Sequence, residues 1–209
     1  MTTIIGRQSS HYTRQVRMLA HELGLDYNLA PIHDLLGDDP QAYGGNPALK
    51  LPALRVGDTV VWGSDNAMRA LARLAPGGEA RVAWPEQTTS PLAMNAHEVL
   101  AHAMAAQVDV VFHEMVAKRP PDAVSAKRRT SLVNCLAWLD AHLDAVHAEL
   151  PADRIRCFDL GLFCLFEHLA FRNPIDTTAW QALQAFAAET GQRESARATP
   201  YRFDPPPGG

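Results

Sequence analysis

The chain has 209 residues, of which 47% are apolar and 20% are charged, and its formal net charge is −4. This length and composition are sufficient for a buried core in one large domain or in two small ones. The absence of a basic stripe argues against a nucleic-acid partner, and no apolar run in the sequence approaches the roughly 18–20 residues that would make a membrane an expected partner.

The N-terminus and the cysteines both predict a cytoplasmic location. The start, Met1-Thr2-Thr3-Ile4-Ile5, lacks the charged and long apolar segments of a signal peptide. The cysteines Cys135, Cys157 and Cys164 are odd in number and have no spacing typical of a metal site. We therefore expect buried free thiols in a reducing cytoplasm, and no metal.

The first third of the chain alternates strand and helix signals. In chain order they predict a strand at 3–5, a helix at 12–23 before Gly24, a strand at 26–32 and a weak helical turn at 40–45. The apolar segments 53–56 and 59–62 are joined at Gly57-Asp58, which is typical of a hairpin. A helix is then expected from Ser64, ending before 76–78.

The pattern changes after residue 78. We predict a domain at 1–78, a linker at 79–90 and a second domain at 91–209 that has no strand signals. Helices are expected within the second domain at 92–117, 122–150, 159–171 and 177–189. The proline- and glycine-rich tail 205–209 is expected to be loosely held.

Three short motifs point to a family. They are Ser9-Ser10-His11-Tyr12 just before Val16-Arg17, the run Asn46–Leu54 with the pattern Asn-Pro-x-x-Lys-x-Pro-x-Leu, and Ser64-Asp65 at a helix start. In this order and spacing they resemble the glutathione-binding domain of the cytosolic glutathione transferases. The resemblance implies a thioredoxin-like α/β lobe, βαβαββα, over 1–78 and an all-α lobe over 91–209.

The first motif is similar to the active loop of the serine-type, bacterial-like transferases. The resemblance implies that Ser10 is the catalytic residue and donates a hydrogen bond to the thiolate of glutathione. A hydroxyl at a helix N-terminus suits this role because the free backbone N–H groups add positive potential. Ser9 is the alternative if the loop differs by one residue, and both serines could instead be plain helix N-caps. His11 stands where the family often has proline.

The other two motifs imply a cradle for glutathione. Pro52 matches the cis-proline of the family, which presents the backbone of Leu51 to the cysteinyl unit as an added strand. Lys50 would reach the glycyl carboxylate, and Ser64 and Asp65 would hold the γ-glutamyl end at a helix N-terminus. The alternatives are a trans proline on an edge strand, a solvated lysine, and an Asp65 that only complements the helix dipole. Gly63 replaces the usual acidic residue.

The resemblance also implies a hydrophobic electrophile site on the first long helix of the second lobe. Its matching positions are Met94, His97, Ala101 and Met104. A metal reading of His97, His102 and His113 fails because their spacings of five and eleven put no two of them on one helical face. Asp159 resembles the helix-capping aspartate of the family and is expected to act in folding.

The implied function is a detoxifying transferase that conjugates glutathione to small hydrophobic electrophiles, with glutathione as co-substrate and a homodimer as the assembly. The alternative is a weakly catalytic or non-catalytic binding or interaction protein with the same fold. A glutathione-dependent isomerase or reductase is disfavoured, because those relatives carry a cysteine in the active loop and this chain has none there.

Overall fold

The computed structural model describes residues 1–173 and 175–206 of the chain. The chain divides into two compact units. The first contains Met1–Val82 together with the C-terminal residues from Gln192 onward, and the second is Ala83–Gly191.

The first unit is built on a four-stranded mixed sheet. Its strands are β1 (Thr2–Gly6), β2 (Asn28–Pro31), β3 (Ala53–Val56) and β4 (Thr59–Trp62), in the spatial order β2-β1-β3-β4. β1 runs parallel to β2 and antiparallel to β3, and β3 pairs antiparallel with β4. This is the thioredoxin-like arrangement that the sequence predicts.

Two helices cover the sheet of the first unit. They are α1 (His11–Leu23) and α2 (Ser64–Leu74), and a short helix α3 (Gly78–Arg81) follows. α1 ends at Gly24 in the left-handed conformation, with φ of 70°, which glycine adopts without steric cost. The weak turn expected at 40–45 is a 3-10 helix over Pro40–Tyr43.

The C-terminal residues 192–206, here called the strap, lie along α1 in the first unit, whereas the sequence assigned 91–209 to the helical domain. The strap contains the short helix α8 (Glu194–Ala198). Glu22 at the end of α1 accepts hydrogen bonds from Arg193 Nε at 2.9 Å and from Ser195 Oγ at 2.5 Å. Nearer the start of α1, Arg14 donates to the carbonyl of Ala196 at 3.4 Å and its guanidinium carbon lies 4.3 Å from the centroid of the Tyr201 ring.

These anchors hold the strap in place, so the loose tail expected from the sequence does not begin before residue 205. Pro205 and Pro206 are exposed, and the remaining tail residues 207–209 lie outside the described residues.

The strap should make stability depend on pH. Burial raises the pKa of Glu22, but the hydrogen bonds from Arg193 and Ser195 and the charges of Arg193 and Arg81 outweigh it and hold that pKa below its ordinary value of 4.5. A depressed carboxyl pKa stabilises the fold above the unfolded value, and this contribution is lost as the pH falls through the folded value. We expect Glu22→Gln to lower the melting temperature at pH 7 and to narrow the gap from wild type below pH 4.5. Melting curves from pH 3 to pH 7 test this, and a gap that stays constant would contradict it.

The second unit is helical. Its helices are α4 (Pro91–Val110), α5 (Ala123–Glu149), α6 (Cys157–Arg172) and α7 (Gln181–Thr190), and α4 continues as a π-helical segment, Val111–Val116. These match the four predicted helices. The short strands β5 (Val82–Ala83) and β6 (Ile155–Arg156) correct the expectation that the region after Pro91 has no strand, since β6 lies within it.

Helix α6 lies in the core of the second unit, as its apolar sequence on every face predicts. Its buried side chains include Phe158, Leu160, Leu162 and Phe163, each at most 1% exposed. A line of hydrogen bonds crosses this core: Arg129 donates to Asn173 at 2.9 Å, Asn173 to Gln107 at 2.8 Å, and Gln107 pairs with His168 Nδ1 at 2.9 Å. These bonds satisfy polar groups that would otherwise be costly to bury.

The helix Pro91–Val116 is long and apolar enough to cross a membrane by length and composition, with a mean hydropathy of 1.2 over its best window. This corrects the expectation that no segment approaches that length. Such a helix is weak evidence for a span, because core helices of helical domains pass the same test. Here one face of the segment, including Ala96, Leu100, Ala103 and Val110, packs inside the protein.

Candidate functional site

The three sequence motifs meet at one end of the sheet of the first unit. Ile5, at the end of β1, pairs with Ala53, at the start of β3, and Ala53 pairs with Trp62, at the end of β4. The active loop follows β1, the proline loop precedes β3 and helix α2 follows β4. The register therefore brings the segments of Ser10, Pro52 and Ser64 to the same edge, although 54 positions separate the first from the last.

Ser10 is the N-cap of α1. Its Oγ accepts a hydrogen bond from the backbone N–H of Thr13 at 3.2 Å, and its backbone N–H donates to Arg7 O at 3.2 Å. The side chain is half-buried. A hydroxyl has two acceptor lone pairs and one donated proton, so capping uses one lone pair and leaves the proton to be donated to a ligand. The N-cap alternative and the catalytic role are therefore compatible in one residue.

The active loop, residues 7–10, is held tightly against the start of α1. Arg7 N donates to Thr13 Oγ1 at 3.3 Å, so Thr13 bonds both ends of the turn. A Cβ atom at Gly6 would lie 2.5 Å from Thr13 Oγ1, which explains the glycine at this position. The loop geometry thus depends on two residues, Gly6 and Thr13, that the sequence did not single out.

Positive charge is concentrated around the N-terminal half of α1. Arg14 is 3% exposed and Arg17 is 6% exposed, and Arg17 donates from Nε to Tyr27 Oη at 3.1 Å. Arg7 lies in the active loop itself. These guanidinium groups add to the positive end of the α1 dipole, an environment that favours a bound anion.

The proline loop is ordered by Asn46, which is 6% exposed. Its Oδ1 accepts from Ala48 N at 3.0 Å and its Nδ2 donates to Lys50 O at 2.9 Å. The Leu51–Pro52 peptide bond is cis, as the resemblance implies, so the trans alternative is wrong. Asn46 appears in the sequence motif without a role, and the structure shows that it fixes the shape of the loop.

Leu51 presents its backbone without a bond inside the first unit. Among the described residues, no hydrogen bond engages its N–H or its C=O, whereas Pro52 O accepts from Gly63 N at 2.9 Å. Lys50 is exposed and Pro52 is buried. The chain here has the free edge that a short extended ligand could pair with.

Helix α2 begins next to this edge without a side-chain cap. Its N-cap Gly63 has φ of 87° and ψ of 151°, and no side chain bonds the first-turn N–H groups. This conformation is open almost only to glycine, which gives a backbone reason for the residue at this position. Ser64 is 8% exposed and Asp65 is exposed. The uncapped N–H groups are suited to a carboxylate.

The four positions expected to line an electrophile site all lie on α4 in the second unit. Met94 is 55% exposed and Ala101 is exposed, whereas Met104 is 4% exposed and belongs to the core. His97 is half-buried and packs edge-on against Phe158, with ring centroids 5.4 Å apart. The four side chains therefore do not share one exposed face.

A cavity of about 140 Å³ lies in the second unit, beside His97, Glu149, Arg156 and Phe158. Arg156 donates from Nε to Pro151 O at 2.9 Å, and its Nη1 lies 3.5 Å from Asp159 Oδ2. The guanidinium is thus engaged in joining α5 to α6. In the described part of the chain, no three His, Cys, Asp or Glu side chains form a group that could hold a metal ion.

Comparisons with known proteins agree with this geometry. Residues 9–74 match the family model described as glutathione S-transferase, N-terminal domain. A search of curated proteins finds no match.

Several solved structures share the fold over nearly the whole chain. A glutathione S-transferase from Methylobacillus flagellatus, solved with glutathione bound, is 19% identical, covers 97% of this chain and 100% of its own, and has a TM-score of 0.78. A glutathione transferase family member from Pseudomonas fluorescens, also with bound glutathione, is 23% identical with the same coverage and a TM-score of 0.74. A glutathione transferase from Populus trichocarpa is 18% identical, covers 95% of this chain and 97% of its own, and has a TM-score of 0.67.

The protein has the glutathione S-transferase fold, with a thioredoxin-like N-terminal lobe and an all-helical domain. Its segment 9–74, which contains all three motifs, matches the N-terminal domain of that family.

Proposed function

We propose that the protein is a cytoplasmic, serine-type glutathione transferase that conjugates glutathione to small hydrophobic electrophiles. The observation that carries the proposal is the convergence of a capped but still donating hydroxyl, Ser10, an unpaired backbone edge at Leu51 and an uncapped helix start at Ser64. The bound glutathione of two structural neighbours adds to it.

Each cradle residue has a role in this proposal. The N–H and C=O of Leu51 pair with the cysteinyl unit of glutathione, beside the buried Pro52. Lys50 supplies a charge for the glycyl carboxylate, and the N-terminus of α2 with Ser64 takes the γ-glutamyl carboxylate. Asp65 lies in the first turn of α2, close to where the ligand's ammonium group is expected.

Ser10 would favour the thiolate form of glutathione by donating its hydroxyl proton. A thiol at neutral pH is mostly protonated and a poor nucleophile. One pKa unit corresponds to about 1.4 kcal/mol, and a hydrogen bond to a charged group is worth about 1.5–3 kcal/mol. A single donor, helped by the positive end of α1, is therefore sufficient to shift the thiol by a unit or more. The thiolate then attacks the electrophile without a covalent enzyme intermediate.

Isothermal titration with glutathione tests the binding half of the proposal. We expect binding with a dissociation constant below 1 mM, roughly −4 kcal/mol or better, and much weaker binding of cysteinylglycine, which lacks the γ-glutamyl unit. No heat at millimolar glutathione would contradict the proposal and favour a non-catalytic interaction protein.

That second candidate function is motivated by Gly63. It removes the acidic side chain that relatives use for the ammonium group of glutathione, so weak affinity and weak catalysis would be consistent with it. A Cβ at Gly63 would meet no heavy atom within 4 Å, so a side chain fits there apart from the backbone conformation.

Restoring the acidic residue separates the two candidates. Gly63→Glu is expected to tighten glutathione binding about 3–10-fold because it adds a charge-assisted hydrogen bond, while the positive φ costs about 1–3 kcal/mol of stability. Gly63→Ala is the matched control, since it carries the same backbone strain without a carboxylate. Equal affinities for the two variants would show that no ligand ammonium group lies beside position 63.

A further inference from the structure

The strap ends on the active loop. Asp204 accepts a hydrogen bond from the backbone N–H of Gln8, at 3.1 Å to Oδ2, and one from Gln8 Nε2, at 3.2 Å to Oδ1. Its Oδ2 also lies 3.8 Å from Arg7 Nε, an ion-pair distance. The Asp204 side chain is only 1% exposed. A carboxylate buried to this degree requires its bonding partners, and all three of these donors belong to residues 7 and 8.

Gln8 lies two residues before Ser10. The other bonds of the loop, Ser10 N to Arg7 O and Arg7 N to Thr13 Oγ1, leave the middle of the loop unanchored. Asp204 fills this gap from 196 positions away in the sequence. It thereby fixes the peptide that leads into Ser10 and, with it, the direction in which the Ser10 hydroxyl points.

The rest of the strap determines where Asp204 lies. Tyr201 packs against Arg14 one turn into α1, and Glu22 holds Arg193 and Ser195 at the far end of that helix. The strap is thus fixed along α1 and delivers a buried carboxylate to the start of the helix. Between these contacts, Arg202 and Phe203 are exposed.

We propose that Asp204 is a positioning residue that holds the active loop in the conformation in which Ser10 donates to the thiolate. This inference rests on the proposed function and extends it, since it makes the C-terminal strap part of the machinery of the first unit.

Positioning and charge make opposite predictions for the bound thiol. Removing a negative charge next to Arg7 would by itself favour a thiolate and lower its apparent pKa. Losing the orientation of Ser10 would raise it. The direction of the shift in Asp204 variants therefore separates a positioning role from a simple field effect.

The test compares Asp204→Ala and Asp204→Glu with wild type in the full chain. For Asp204→Ala we expect a kcat at saturating glutathione that is at least 5-fold lower, a KM for glutathione within 3-fold of wild type, and an apparent thiol pKa in the kcat/KM profile that moves upward. Hydrogen exchange of the peptide covering residues 7–10 should become faster. Asp204→Glu keeps both the acceptors and the charge and should recover part of the loss.

Asp58→Asn is the charge control, because it removes an exposed carboxylate from the β3–β4 turn of the same unit. It should leave exchange, kcat and the profile as in wild type. Unchanged exchange at residues 7–10 in Asp204→Ala, or faster exchange with an unchanged or lowered thiol pKa, would overturn the positioning role. Absence of glutathione binding by the wild type is a different failure, because it removes the proposed function itself and the positioning role with it.

Discussion

Replacing Ser10 with alanine is expected to lower kcat/KM for a model aryl halide at least tenfold. Its hydroxyl proton is the donor that the proposal assigns to the thiolate, and losing such a donor costs about 2–4 kcal/mol of transition-state stabilisation at most. The apparent thiol pKa from the pH profile should rise in parallel. Glutathione affinity should change little, since Lys50, Leu51 and Ser64 remain.

The cap that Ser10 provides to α1 must be separated from its chemical role. Loss of an N-cap costs about 1 kcal/mol of stability, so Ser10→Ala should also melt earlier. Ser10→Thr keeps a hydroxyl and a cap and should retain more activity than the alanine variant. Ser9→Ala is the control for the alternative hydroxyl: a tenfold loss in Ser9→Ala with normal turnover in Ser10→Ala would move the active group by one residue.

Replacing Asp159 with alanine is expected to destabilise the helical unit by about 2–4 kcal/mol. Its Oδ1 lies 2.9 Å from His147 Nε2 and its Oδ2 lies 3.5 Å from Arg156 Nη1, and the carboxylate is 14% exposed. These contacts join the end of α5 to the start of α6, whose first turn the negative charge also complements. For a chain of this size the melting temperature should fall by roughly 5–15 °C.

Asp153→Ala is the matched control, because Asp153 is an exposed carboxylate in the same α5–α6 connection. Its melting temperature should stay within about 1–2 °C of wild type, as for an ordinary surface substitution. Equal melting temperatures for the two variants would contradict the structural role of Asp159. Turnover per folded molecule should be preserved in both, since neither residue is assigned to the chemistry.

The sequence predicted the first unit well because its signals are local. Gly24 ends α1, Gly57-Asp58 makes the hairpin and the proline loop carries its own spacing, so each element could be placed from a few neighbouring residues. The same locality explains why the motif residues could be named, while Thr13 and Asn46, which shape the two loops, could not. Their roles depend on hydrogen bonds that only the folded backbone shows.

The strap was missed for the opposite reason. Its contacts are single polar pairs, such as Glu22 with Arg193 and Gln8 with Asp204, separated by 171 and 196 positions. No periodicity or spacing marks such pairs. Asp159 likewise was expected to act through a local cap, but it bonds His147 from another helix, twelve positions earlier.

A crystal structure of the protein soaked with glutathione tests the central claim most directly. It should show the tripeptide along the edge of Leu51, its γ-glutamyl carboxylate at the N-terminus of α2 and its sulfur within about 3.5 Å of Ser10 Oγ, allowing for the longer reach of a bond to sulfur. A tripeptide bound elsewhere, or a sulfur contacted by another group while Ser10 faces away, would contradict it.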